Sequence, residues 1–396
     1  MTRMTLLSAL GAGALLISGL AAAPAADAAG DHGLHAKRVC GTTRSATVAS
    51  CSAKVLVDNK GVVPHSTKPA ASARTPAQLK NAYKLTGTSS GGRTVAIVDA
   101  YGYPNLARDL ATYRSYYGLP ACTTGSGCLK VVNQTGGTSL PRFNSGWAGE
   151  QALDVDAVSA ICPDCKILVV QANSASIANL GTAVNTAAKR SGVVAISNSY
   201  GGGDLSDASY GSYYKHSGIA VTASTGDNGY QGGSFPASSS YVTAVGGTTL
   251  TKASNTRGWS ETAWSGAGSG CSTVNTALAA ASSYSTGCVK RAIADVSAAA
   301  DPGNGGMAVY FPTNKSSSTW AQVGGTSEAS PIIASVYALS GNTSGSANAT
   351  PYSHPGSLFD VTAGSNGSCS TTQWCHSRTG WDGPTGLGTP NGTGAF

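Results

Sequence analysis

Arg93-Thr94-Val95-Ala96-Ile97-Val98-Asp99-Ala100 is an unbroken β-branched and apolar run that closes on an acid. A strand apolar at every position, rather than at alternate ones, is buried on both faces, as strands in parallel sheets are. Its acid falls at the C-terminal edge, where open α/β sheets bind their ligands. Runs of the same kind recur at Lys166-Ile167-Leu168-Val169-Val170, Gly192-Val193-Val194-Ala195-Ile196-Ser197, Ile219-Ala220-Val221-Thr222-Ala223-Ser224 and Val242-Thr243-Ala244-Val245. Residues 105–116, 148–160, 174–190 and 204–216 read as helices between them, preceded by one with Pro76 at its start. Strands alternating with helices predict an α/β fold, a mostly parallel central sheet with helices on both faces.

Outward from that core, the first 29 residues read as a secretory signal, with Arg3, an apolar stretch from Leu6 to Leu20 and Ala26-Asp27-Ala28 before the cut. The stretch is short for a membrane span, so an exported soluble protein with no membrane partner is expected. Ten cysteines suit an exported chain. They fall into near-neighbour pairs, Cys40/Cys51, Cys122/Cys128, Cys162/Cys165, Cys271/Cys288 and Cys369/Cys375, and five bridges joining them are the simplest expectation. The Cys162-Pro163-Asp164-Cys165 pair lacks the thioredoxin-like context or second matching pair that a redox or zinc role needs. The formal charge of +7 is concentrated in an arm, since residues 31–75 hold seven basic residues against Asp31 and Asp58. The remainder is nearly neutral, which excludes an extended nucleic-acid footprint. Residues 30–74 read as a short basic prosegment or N-terminal arm, and 75–396 as the main domain, a monomer.

Three segments carry acids or a hydroxyl in places suited to chemistry. Gly324-Gly325-Thr326-Ser327-Glu328-Ala329-Ser330-Pro331 leads into Ile332-Ile333-Ala334. A glycine-rich turn feeding a helix exposes the Ser327 hydroxyl at a helix N-terminus, where free N–H groups favour the oxyanion that a serine nucleophile creates; a plain N-cap is the bland alternative. Pro331 is expected within the first helical turn, where its missing N–H costs nothing. Glu150 and Asp154, four apart, share one helical face with no Lys or Arg within a turn. In a cleft such a pair shares a proton and raises one pKa; on a surface it is an ordinary acidic face. Asp156 reads as solvated or capping. Thr225-Gly226-Asp227-Asn228-Gly229 puts a third acid in a tight loop after a strand, either a site residue or an Asx turn.

The Glu150/Asp154 spacing, Ser197-Asn198-Ser199-Tyr200-Gly201, Gly226-Asp227-Asn228-Gly229 and Gly324-Gly325-Thr326-Ser327 together resemble the sedolisin family, the serine-carboxyl peptidases with a subtilisin-like fold. The resemblance covers about residues 75–390, in order. It implies a subtilisin-like three-layer α/β fold acting on protein or peptide substrates. Ser327 would be the nucleophile, Glu150 the general base, Asp154 the group that orients it, and a protonated Asp227 the oxyanion donor, with Asp99 in support. Residues Ser197, Asn198, Ser199, Tyr200 and Gly201 would form the edge that pairs with substrate backbone. An acid kept neutral to donate a hydrogen bond implies acidic working conditions.

The resemblance also implies one Ca²⁺ site, with carboxylates from Asp360 and Asp382 and carbonyls of Val361, Arg378 and Gly380; an oxygen-only shell suits that ion. Arg378 stands where the family has glycine. Two more departures stand out. The arm is much shorter than the family's prosegment, and its basic residues are expected to cover the acidic cleft until acid weakens the attraction. Glu328 follows the serine where a small residue is usual, either as a helix-terminal acid or as a residue narrowing the substrate range. Release of tripeptides from N-termini is an alternative to internal cleavage, and a non-catalytic binding protein on the same scaffold is the rival of another class. A Ser-His-Asp triad built on Asp99 and Ser327 fails, because none of the six histidines lies where its base belongs.

Overall fold

The computed structural model describes Met1, residues 33–342 and residues 345–396, so the expected signal lies outside the described residues apart from Met1. Three short strands come first, β1 (His35–Arg38), β2 (Ser50–Cys51) and β3 (Lys54–Val57). Helix α1 (Pro76–Ala82) is started by Thr75, whose hydroxyl accepts from the Gln78 N–H while Gln78 bonds back to the Thr75 backbone, so two free donors are satisfied at once. The alternation then runs β4 (Thr94–Ala100), α2 (Leu106–Tyr116), β5 (Leu129–Asn133), α3 (Ser145–Ile161), β6 (Lys166–Ala172) and α4 (Ile177–Ala188). It continues through β7 (Val193–Asn198), β8 (Tyr200–Gly201), α5 (Asp207–Tyr210), β9 (Ala220–Ser224), β10 (Thr243–Lys252) and β11 (Trp259–Ala263). They are followed by β12 (Gly270–Cys271), β13 (Ala292–Ile293), β14 (Val296–Ala299), β15 (Met307–Pro312), β16 (Ser318–Gly324) and α6 (Thr326–Ser340).

Among the described residues the main sheet has the order β11-β10-β9-β7-β4-β6-β5, with β14 also beside β10. Every pairing is parallel except β10 with β11. Successive residues of β4 point to opposite faces, and the core divides accordingly. Val95 and Ile97 pack with Leu153 of α3 and Ile332 of α6, whereas Ala96 and Val98 pack with Ile177 and Leu180 of α4. Sheet between two helical layers is the expected architecture.

Two local expectations fail. The helix expected over 204–216 is only α5 followed by a 3-10 turn, Gly211–Tyr213. Asp207 spends its carboxylate on the Ser240 N–H and on the hydroxyls of Ser239 and Ser240, and a side chain at Gly211 would stand 2.8 Å from both Asp207 and Tyr241. Pro331 lies well inside α6, beyond the first turn. It withholds an N–H from the Ser327 carbonyl, and the Ser199 hydroxyl lies 3.3 Å from that freed oxygen.

The basic arm is woven into the fold. β1 pairs with β3, β3 with β16 and β16 with β15, all antiparallel, while β2 pairs antiparallel with β8. Residues 34–396 cluster as one unit. The five disulfides join the cysteines in the near-neighbour pattern, Cys162 to Cys165 included, leaving no free thiol.

Candidate active site

Helix α3 carries Glu150 and Asp154 on the face turned to the sheet, and it is locked in place by the intervening Gln151. That amide donates to the carbonyls of Ala100 and Tyr101 at 3.3 and 3.1 Å and accepts from Gln171 at 2.8 Å. Asp99 comes from the end of β4, Asp227 from the loop after β9, and Ser327 from the start of α6. All five are buried. The ordinary exposed acidic face is thus excluded for Glu150 and Asp154.

The electrostatics follow from that burial. Desolvation pushes Glu150 well above the usual carboxylate range and the charges of Asp154 and Asp99 push it further, while neither of its oxygens has a hydrogen-bond partner. Asp154 is raised by burial and by Asp99, and relieved by the Ser199 hydroxyl, which donates to its Oδ1 at 2.8 Å. Burial alone raises Asp99, and neither of its oxygens has a hydrogen-bond partner. No Lys or Arg side chain is ion-paired with any of the three among the described residues. Three carboxyls so close in low dielectric hold protons in common.

Asp227 is arranged differently. Its Oδ1 accepts from the Thr326 N–H at 2.8 Å and lies 3.0 Å from the Thr326 hydroxyl, while Oδ2 is buried without a partner. Burial pushes its pKa up to about 7, against the pull of the Thr326 bonds and the charges of Lys54 and Arg38. Gly325 (φ +112°) makes the approach possible. A Cβ there would sit 2.2 Å from the Ser52 carbonyl oxygen and 2.5 Å from Asp227 Oδ2.

Ser327 is fully buried, contrary to the expectation of an exposed hydroxyl. The cover is the arm. The Ser327 N–H donates to the Ser52 carbonyl at 3.0 Å, and the Ser52 N–H donates to the Ser199 carbonyl at 3.1 Å. The Ser327 hydroxyl is turned to the Ser199 carbonyl at 3.2 Å. Arm cations grip the Asp227 loop, with Lys54 Nζ on the Asp227 carbonyl at 2.7 Å and over the Trp264 ring, and Arg38 bonded to Asn228 Oδ1. A cleft of about 480 Å³ opens beside Ser52, lined by Thr225, Gly226, Asp227, Gly232 and Ser269.

The other expected positions separate into edge and interior. Tyr200 and Gly201 form the edge that pairs with Cys51 and Ser50, and Ser199 supplies the carbonyl already described. Ser197 lies inside the sheet layer with its hydroxyl 2.9 Å from that of Ser330. Asn198 bonds Thr222 and Tyr200. Asp156 is buried, not solvated, and accepts from the Tyr310 N–H at 3.1 Å. Glu328 is buried too, raised by desolvation and eased by the charge of Arg74, with neither oxygen hydrogen-bonded. Sequence reading missed Ser52 as a site neighbour, and it anticipated Lys54 and Arg38 only through the basic charge of the arm, without their partners on the Asp227 loop.

Asp360 and Asp382 face one another across the C-terminal loop. Asp360 Oδ2 accepts from the Gly380 N–H at 2.9 Å and Asp382 Oδ2 from the Arg378 N–H at 3.1 Å. Burial pushes Asp382 up to about 7, with Asp360 adding its charge. The Arg378 guanidinium turns to Gln373 Oε1 at 3.5 Å. Two carboxylates without a cationic side chain between them are the donor type that an oxygen-liganded cation takes, although Asp382 Oδ1 already accepts from the Thr385 N–H and hydroxyl. No group of three or more His, Cys, Asp or Glu suits a metal among the described residues.

Comparison with known proteins agrees with this geometry. The model of the peptidase S8 or subtilase family matches residues 143–358, more than half of the chain. Kumamolisin of Bacillus sp. (strain MN-32) is 30% identical over 370 residues, covering 83% of this chain and 64% of that protein. Tripeptidyl-peptidase sed1 of Aspergillus fumigatus is 30% identical over 232 residues, 44% of this chain and 34% of that protein. The chain therefore spans less than two thirds of the length of either relative. The structure of Pseudomonas sedolisin, a serine-carboxyl proteinase complexed with two molecules of pseudo-iodotyrostatin, superimposes with a TM-score of 0.66 at 25% identity, over 81% of this chain and 96% of that one.

Proposed function

Since the chain belongs to the subtilase family, in its sedolisin branch, we propose that it is an exported, acid-active serine-carboxyl endopeptidase. The observation that carries the reading is the shared burial of Asp99, Glu150 and Asp154, whose charges act on one another, with Asp227 bonded to Thr326 next to Ser327 at a helix start. Ser327 Oγ attacks the substrate carbonyl and gives its proton to Glu150, once the hydroxyl has swung from the Ser199 carbonyl. Asp154 and Asp99 hold shared protons, so that the negative charge of the trio rests on Glu150. The oxyanion meets the Ser327 N–H and a protonated Asp227, which offers a proton from the oxygen now unpartnered. Export is part of the proposal, supported by five disulfides; among the described residues no helix is long and apolar enough to cross a membrane.

Internal cleavage is favoured over tripeptide release by the path of the arm. Chain contacts run back from Ser52 through Cys51 and Ser50 on β8 to Ala49, whose N–H reaches the Ala175 carbonyl at 2.8 Å, and to Val48, paired with Ser176. A cleft closed after three residues would leave no room for them. The proposal includes one structural Ca²⁺ on Asp360 and Asp382 with the carbonyls of Val361, Arg378 and Gly380, where it would join two loop segments. The test is hydrolysis of casein at about pH 4, by the parent and by Ser327→Ala and Glu150→Gln; activity that survives either substitution refutes the assignment.

A further inference from the structure

The arm does more than cover Ser327; it lies there with the polarity and bonding of a peptide about to be cut. On one side Ser50 and Cys51 pair antiparallel with Gly201 and Tyr200, and the Ser52 N–H reaches the Ser199 carbonyl. On the other side Lys54 and Val55 pair antiparallel with Gly324 and Val323. Between them the Ser52 carbonyl oxygen sits on the Ser327 N–H at 3.0 Å, with the unpartnered Asp227 Oδ2 crowding the same space beside Gly325. The peptide bond whose carbonyl rests on the Ser327 backbone N–H is Ser52–Ala53.

Both sides of that bond are held independently of it. His35 to Arg38 pair with Val57 to Lys54, and the Val39 N–H donates to the Ala53 carbonyl at 3.0 Å. Chain before the loop is thus strapped to chain after the bond. The Cys40–Cys51 disulfide closes the loop immediately before Ser52, fixing its shape in advance.

Building on the peptidase reading, we propose that Ser52–Ala53 is an internal cleavage site of Ser327, and that residues 35–57 form a built-in inhibitor which is cut and resealed in place rather than discharged. Ser327 Oγ bonds to the Ser52 carbonyl carbon and its proton passes to Glu150. The C–N bond breaks and that proton moves to the Ala53 nitrogen, leaving a Ser52 ester and a free amine. The amine, held by β3, is the near neighbour of the ester, so return to the amide competes with water. Water, when it wins, yields a Ser52 carboxylate and an Ala53 ammonium group that remain paired through β1 and β3.

The test uses the full chain at about pH 4. Denatured samples are expected to show a new N-terminus at Ala53 and a gain of one water, reaching a plateau short of completion, while the two pieces co-elute under native conditions. Ser327→Ala should show no cut. Removing the loop closure with Cys40→Ser and Cys51→Ser together should raise casein hydrolysis about tenfold or more. Lys54→Ala, a milder change outside the core, should raise it about threefold. A Ser52–Ala53 bond that stays whole while casein is digested overturns this proposal and leaves the peptidase reading standing, as do natively folded variants with unaltered rates. Absence of hydrolysis in every form, the parent included, overturns both.

Discussion

Replacing Asp227 with Asn separates the charge of this residue from its shape. Asn keeps an oxygen for the Thr326 N–H and puts a neutral amide where the unpartnered Oδ2 now lies. Burial raises the Asp227 pKa from 3.8 to about 7, so the folded chain holds this proton more tightly than the unfolded one. The sign follows: stability from this group is fully present below about pH 4 and is lost as pH rises towards 7. Three units at about 1.4 kcal/mol each give about 4 kcal/mol. The measurement is guanidinium unfolding at about pH 4.5 and pH 7.5 in constant salt, with both chains carrying Ser327→Ala against self-digestion. The Asn chain should lose less stability across that interval, by a few kcal/mol, and should be the more stable one at neutral pH. Asp99, Glu150 and Asp154 titrate in both chains, so the difference belongs to Asp227. Equal losses in the two chains would show that Asp227 is already ionised in the acid range, and the protonated oxyanion donor would fall with it.

Three further outcomes follow from the geometry. Gly325→Ala places a Cβ 2.2 Å from the Ser52 carbonyl at φ +112°, so thermal melting should show a loss of about 2 kcal/mol or more; an unchanged melt would mean the arm does not lie where described. Asp295→Asn weakens a fully buried pair with Arg291, bonded at 2.8 Å and joined by the Tyr352 hydroxyl, and should cost about 3–5 kcal/mol in denaturant unfolding. Calcium should raise the melting temperature, a chelator should reverse the rise, and Asp382→Asn should abolish the response; a calcium response that survives Asp382→Asn would place the ion elsewhere.

The central strands and the acid pair were legible because their information is local. An all-apolar run such as 94–100 has few structures open to it, and two acids one helical turn apart share a face wherever the helix goes. What the spacing left open was which way that face turns. Gln151 decides it, through carbonyls at and just past the end of β4 and an amide on β6, partners that no window around α3 contains. The failure at 204–216 has a similar origin, since Asp207 is claimed by Ser239 and Ser240 from across the chain.

The arm was the harder case, because a two-residue strand has no meaning apart from its partner. Ser50 and Cys51 acquire theirs from Tyr200 and Gly201, and Lys54 from Gly324, all more than a hundred residues away. Charge alone suggested that the arm covers an acidic cleft. The contacts it makes are more specific than charge, because Lys54 and Arg38 bond to uncharged oxygens of the Asp227 loop. Protonating Asp227 therefore removes only the Coulombic part of that grip and leaves the hydrogen bonds and strand pairing in place. Acid by itself is then a weak release signal, whereas anything that loosens the 40–51 loop acts directly on how Ser52 is presented.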